Sequence, residues 1–188
     1  MKNKNDLDFS YLSPENTKFR QKYLTKRLYK HLSEKNYLEA FFIGSSFVES
    51  NLKFTLEALL ILENIMFLKH SGTKLQKEDS NIQTNTMGFN LKKLKQYKLN
   101  FLSKKEIKEF FDKFEDYIKI RNEIIHHLYA HTSESLIKRK ARKALELGSI
   151  LFKTMDKINK FTSSLGRKIN KGILQKAKRK RTIQELTN

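Results

Sequence analysis

One proline and six glycines in 188 residues leave this chain few means of interrupting a helix. Proline removes a backbone donor and clashes with the preceding turn, while glycine pays the largest entropy cost on ordering, so these two residues do most of the punctuating in a chain. Across the body of the sequence, long segments with a 3.6-residue apolar period stand where strands would alternate every second residue. The expected fold class is therefore all-α. A hydrophobic content of 38%, with 14 Phe and 7 Tyr, is enough for one packed core in a chain of this length.

The helix signals divide the chain. Ser13-Pro14-Glu15 supplies a hydroxyl cap, proline at the first helical position and an acid in the first turn, and Phe19, Tyr23, Leu28 and Leu32 then mark one face. A much longer helix is expected from Tyr37 to His70, followed by a polar loop from Ser71 to Thr86 and a short helix around Phe89 to Tyr97. Ser103 with Glu106 forms a capping box that opens a fourth helix reaching about Ala130. A fifth is capped by Thr132 or Ser133 and is expected to stop near Gly166. The expected organisation is a polar segment over residues 1–12, a helical body over 13–166 and a basic tail over 167–188.

Charge narrows the range of partners. Lys and Arg number 39 against 20 Asp and Glu, a formal net charge of +19, which points to a polyanion such as RNA. Lys138, Arg139, Lys140, Arg142 and Lys143 open the fifth helix, and Lys178, Arg179, Lys180 and Arg181 lie in the tail, making both stretches candidate phosphate contacts. From Arg167 onward there are eight basic residues and one acid, Glu185. With no Cys, a disulfide scaffold, thiolate zinc sites and thiol nucleophiles are excluded, and a reducing, cytoplasmic location is expected. Met1 to Asp8 lacks the apolar core of a signal peptide. The most apolar stretch, Leu52 to Leu68, carries Lys53, Glu57, Glu63 and Asn64, so it reads as a core helix, with no membrane partner.

Two helices carry polar residues where a core is expected. At about 100° per residue, Ile107, Phe110, Phe114, Tyr117, Ile118, Ile125 and Leu128 form one apolar stripe on the fourth helix, and Arg121 falls within it. Asn122 and His126, four apart, lie along its edge. The second helix has a stripe through Leu38, Phe41, Phe42, Val48, Leu52, Leu56, Leu59, Leu60, Met66 and Phe67, interrupted by Ser45, Glu49 and Glu63. Breaking a buried ion pair costs about 3–5 kcal/mol, so Arg121 in a core needs an acid, and Glu49 or Glu63 is expected to face it. The plainer alternative is an Arg that snorkels from a helix edge.

Arg121-Asn122-Glu123-Ile124-Ile125-His126 resembles the R-N-x-x-x-H signature of the HEPN superfamily (higher eukaryotes and prokaryotes nucleotide-binding domains). Thr86-Met87-Gly88-Phe89-Asn90-Leu91-Lys92-Lys93-Leu94, and the earlier helix with Ser45-Ser46-Phe47-Val48-Glu49, are similar to the layout of small bacterial and phage members. The likeness covers about Tyr37 to Phe161. It implies an up-and-down bundle of four to five helices that forms a homodimer and brings two motifs into one cleft. It further implies a metal-independent endoribonuclease, toxin-like or antiviral, with Arg121, Asn122 and His126 catalytic, Glu49 and His127 in support, no cofactor, and an antitoxin protein as a further partner. The chemistry suits these residue types. A neutral His takes the proton from the RNA 2′-hydroxyl or, protonated, gives one to the leaving 5′-oxygen, and Arg offers permanent charge to the phosphorane.

His127 also fits a looser Arg-to-His spacing, so either histidine is a candidate. Where related toxins resemble R-x-x-x-x-H-x-Y, Leu128 stands in the tyrosine position counted from His126 and Tyr129 in that counted from His127. Glu123, His127 and His131 are spaced as a divalent-metal face, but with no second carboxylate or Cys cluster they read as a solvated helix edge and no metal is expected. The rival readings are a non-catalytic HEPN module that binds RNA or a protein partner, and an unrelated basic bundle in which the motif is coincidental.

Overall fold

The computed structural model describes residues 19–71, 82–128 and 133–187. Within them the chain is a helical bundle: α1 (Phe19–Ser33), α2 (Tyr37–Ser71), α3 (Met87–Leu94), α4 (Lys104–His127) and α5 (Glu134–Thr187). The proposed start at Ser13-Pro14-Glu15 lies outside the described residues, as do Tyr129, His131 and Thr132. No helix among the described residues is long and apolar enough to cross a membrane.

Local chemistry sets the helix ends. The Ser103 hydroxyl accepts from the Glu106 backbone N–H while the Glu106 carboxylate accepts from the Ser103 backbone N–H, closing the capping box. Those bonds to Ser103 hold the Glu106 carboxyl below its usual range. The support they give α4 is therefore fully present above the ordinary carboxylate pKa and fades as pH falls through the lowered one. Thr86 caps α3 by accepting from the Phe89 N–H at 3.3 Å. Between α1 and α2 the chain reverses in three residues, with Asn36 N–H bonded to His31 C=O at 2.8 Å and Lys35 N–H to Leu32 C=O at 3.1 Å. This doubled closure needs a left-handed residue, and Lys35 adopts it with φ 55°.

The helices run up and down. α2 and α5 are parallel, since Gly44 meets Leu145, Val48 meets Gly148, Asn51 bonds Asn159 at 3.1 Å and Ile65 meets Gly166. α4 runs antiparallel to α5, with Phe101 stacked on Phe161 at 4.0 Å, Glu106 paired with Lys157 at 3.6 Å and Glu123 with Lys140 at 2.9 Å. The core lies where these three helices meet, around Phe41, Leu52, Leu56, Phe114, Tyr117, Leu151, Met155 and Ile158. Gly148 sits at a close approach of α5 to α2, where an added Cβ would lie 3.2 Å from Val48, so that the Val48 side chain would have to give by a few tenths of an ångström, and 3.5 Å from Tyr117, an ordinary contact.

The structure departs from the sequence reading at Gly166. A glycine ends a helix by turning left-handed, but Gly166 is buried and α5 continues through it, with Ile65 of α2 at ordinary contact distance, 3.6 Å from where a Cβ would stand. The resulting 54-residue helix is about 81 Å long against about 52 Å for α2. Residues 167–187 are helical and continue α5.

Candidate functional site

The site forms where side chains of α4 reach across to the N-terminal part of α2. On α4 the buried line runs through Phe110, Phe114, Tyr117, Ile120 and Ile124, whereas Ile125 is half-buried and Leu128 is 41% exposed. The stripe is thus rotated from the expected one near its C-terminal end, which puts Arg121 at its margin. Its side chain is 27% exposed, intermediate between core and surface.

The guanidinium is held on three sides. Nε donates to Ser45 Oγ at 3.2 Å, Nη1 donates to Asn122 Oδ1 at 3.4 Å, and Nη2 lies 3.7 Å from Glu49 Oε2. Glu49, rather than Glu63, is the acid facing it. Ser45 is buried and also hydrogen-bonded to Tyr117. Burial pushes the Tyr117 phenol up to about 12, against smaller opposing effects of the Ser45 hydrogen bond and the Arg121 charge. Glu49 is shared, because its other oxygen lies 3.0 Å from Lys53 Nζ, and that ammonium donates at 2.8 Å to the carbonyl of Gln83 ahead of α3. Two cations around one carboxylate leave a net positive charge, as an anion site requires.

Lys53 joins the site through Glu49, and the sequence signal for it is its place four residues later, the ordinary spacing of a helical ion pair. By sequence Tyr117 belongs to the apolar stripe of α4, and nothing in the sequence marks its hydroxyl as the partner of Ser45. Asn122 and His126 are both exposed and share the solvent edge of α4, while the His127 side chain lies outside the described residues. Glu123 is occupied by Lys140.

The basic start of α5 divides. Lys138 pairs with Glu134 at 2.6 Å, Lys140 with Glu123 at 2.9 Å, and Arg142 with Glu146 at 3.3 Å while its guanidinium lies over the Tyr37 ring. Arg139 and Lys143 are exposed, without an ion pair among the described residues. Lys178, Arg179, Lys180 and Arg181 belong to the helical end of α5, but their side chains lie outside the described residues.

The energetic weight of the Arg121 pair follows from its exposure. A pair with side chains 27% and 30% exposed, and a shared acid, belongs nearer to surface pairs than to the fully buried case. A double-mutant cycle of Arg121→Ala and Glu49→Ala, followed by chemical denaturation, is expected to give a coupling of about 0.5–1 kcal/mol. A coupling of several kcal/mol would mean that the pair is desolvated.

No protein-family model matches this chain, and no curated protein or solved structure matches it either.

Proposed function

We propose that this chain is a metal-independent endoribonuclease of HEPN type that cleaves RNA by attack of its own 2′-hydroxyl. The observation that supports this reading best is the three-sided hold on Arg121 by Ser45, Glu49 and Asn122, with an exposed His126 farther along the same helix. Preorganised charge of this kind stabilises a transition state because little reorganisation is needed as negative charge develops. His126 takes the 2′-hydroxyl proton, the freed oxygen attacks phosphorus, and the bond to the 5′-oxygen breaks. A second imidazolium, from His126 of another copy in a homodimer, gives that oxygen its proton. The products are a 2′,3′-cyclic phosphate and a 5′-hydroxyl. Arg121 faces the phosphorane oxygens and Asn122 orients the phosphate or the imidazole. Such an activity fits a toxin-like or antiviral role in the cytoplasm, with an antitoxin protein as the partner that holds it in check.

The test is product chemistry. Purified protein incubated with total RNA should generate 2′,3′-cyclic phosphate ends, and the cleavage should persist in excess chelator. Chelator-sensitive cutting would overturn the proposal. A second reading is favoured by the outlying position of His126, which is absent from the network around Arg121: a non-catalytic module that binds RNA or a protein partner, with Arg121 joining α4 to α2. Tight RNA binding without cyclic-phosphate ends would establish it.

Binding itself should divide the basic residues of α5. Neutralising Arg139 and Lys143 to Ala is expected to reduce the salt dependence of single-stranded RNA affinity by about 0.7 in slope per lost phosphate contact. Lys138→Ala should change it less, because Lys138 already pairs with Glu134. Affinity titrations from low to moderate salt would measure both.

A further inference from the structure

α3 has two unlike faces. Met87, Asn90, Leu91 and Leu94 are buried, whereas Phe89, Lys92 and Lys93 fall on the opposite side, within a sector of about 100°. Phe89 is 49% exposed, and the Lys93 ammonium lies 4.9 Å from the centroid of its ring. A single exposed Phe is ordinary on a protein surface. The setting of this one is not, because residues 82–105 carry six lysines and no acid. Lys95 is occupied by Glu115 of α4, but Lys92 and Lys98 are exposed and have no ion pair among the described residues.

This face is also held firmly. The buried Asn90 amide donates to the Ile82 carbonyl at 3.0 Å, which fastens the preceding turn to α3. In that turn the Gln83 carbonyl accepts from Lys53, and the Gln83 amide donates to Glu57 at 2.6 Å. α3 is thereby tied to α2 through Lys53, the partner of the carboxylate that faces Arg121, and to α4 through Lys95.

We infer that the outward face of α3 binds single-stranded RNA, with the Phe89 ring as a platform for a base and Lys92, Lys93 and Lys98 as phosphate contacts. It rests on the proposed function in taking RNA as the ligand, but it requires no cleavage. Bases and phosphates alternate along a single strand, so an aromatic ring among lysines meets both, and the bases of a duplex are too deeply stacked to use it. An acidic protein segment would satisfy the lysines and leave the ring without a partner.

The chain has no Trp, so Phe89→Trp places a single fluorescent indole on this face. A 2′-O-methyl oligouridine, which lacks the free hydroxyl that cleavage uses, should quench it. Phe54→Trp, at a similarly exposed position on α2, should not respond to the same probe. With a labelled form of that oligonucleotide, Phe89→Ala is expected to weaken binding about tenfold, as loss of one stacked base does, while circular dichroism stays unchanged. Lys92→Ala with Lys98→Ala should reduce the salt slope by about 0.7 per lost phosphate contact. Binding that survives Phe89→Ala undiminished, or equal quenching by polyglutamate, would overturn the assignment of this face. Phe89-dependent binding without cyclic-phosphate ends would instead uphold this face and remove the nuclease reading.

Discussion

His126→Ala is expected to lower the rate of RNA cleavage by roughly 10²- to 10⁴-fold, the usual contribution of a general acid or base, while leaving the melting temperature nearly unchanged. The second half of that expectation rests on position. His126 is exposed at the solvent edge of α4, outside the network around Arg121, so truncating it opens no cavity and leaves no buried partner unsatisfied. Arg121→Ala should differ in kind, losing cleavage together with a small part of the stability, because it also releases Ser45 and Glu49. Cyclic-phosphate yield and thermal denaturation, measured on the same preparations, separate the two effects. Unchanged cleavage in His126→Ala would remove this histidine from the mechanism and leave His127 as the candidate.

Tyr117→Ala is expected to destabilise the fold by about 3–5 kcal/mol, as removal of a large buried ring does. Tyr117 is 1% exposed, lies edge-on to Phe114 with centroids 6.3 Å apart, and fills the space that Gly148 leaves between α2 and α5. Tyr117→Phe keeps the ring and loses only the hydrogen bond to Ser45, a change of about 0.5–1.5 kcal/mol. The two variants also differ in their response to alkali. The folded phenol is raised to about 12 from an ordinary value near 10, so the folded state keeps its proton longer than the unfolded chain does. Its contribution is fully present below pH 10 and is lost as pH rises from about 10 to about 12. Urea denaturation across that window should therefore fall more steeply for the native chain than for Tyr117→Phe. Parallel curves would mean that Tyr117 reaches solvent.

Much of the site was legible in the residues because the polar intrusions break a period that the rest of each helix keeps. Arg121 and Glu49 each interrupt an apolar run, and mutual need of a partner is enough to join them across 72 positions. The exact face of α4 was not legible in the same way. Its C-terminal turns carry Ile120, Ile124, Ile125 and Leu128 on overlapping sectors, and which of them is buried depends on how far α5 reaches over them. Sharing of Glu49 with Lys53 could not be read either, since it depends on the carbonyl of Gln83, thirty residues away, holding the ammonium in place.

The sequence by itself determined the all-α class, the span of α2, the capping box at Ser103 and the pairing of Arg121 with one of two acids. These follow from local rules: helix breakers are scarce, caps satisfy nearby donors, and apolar period sets a face. Only the tertiary structure decided that Glu49 is the acid, that Arg121 stays partly exposed, and that α5 runs on through Gly166. Each of those outcomes depends on what another helix places opposite. A glycine late in an apolar run reads as a helix stop, and no local pattern tells whether packing on a neighbouring helix carries the helix on through it, as it does for α5 at Gly166.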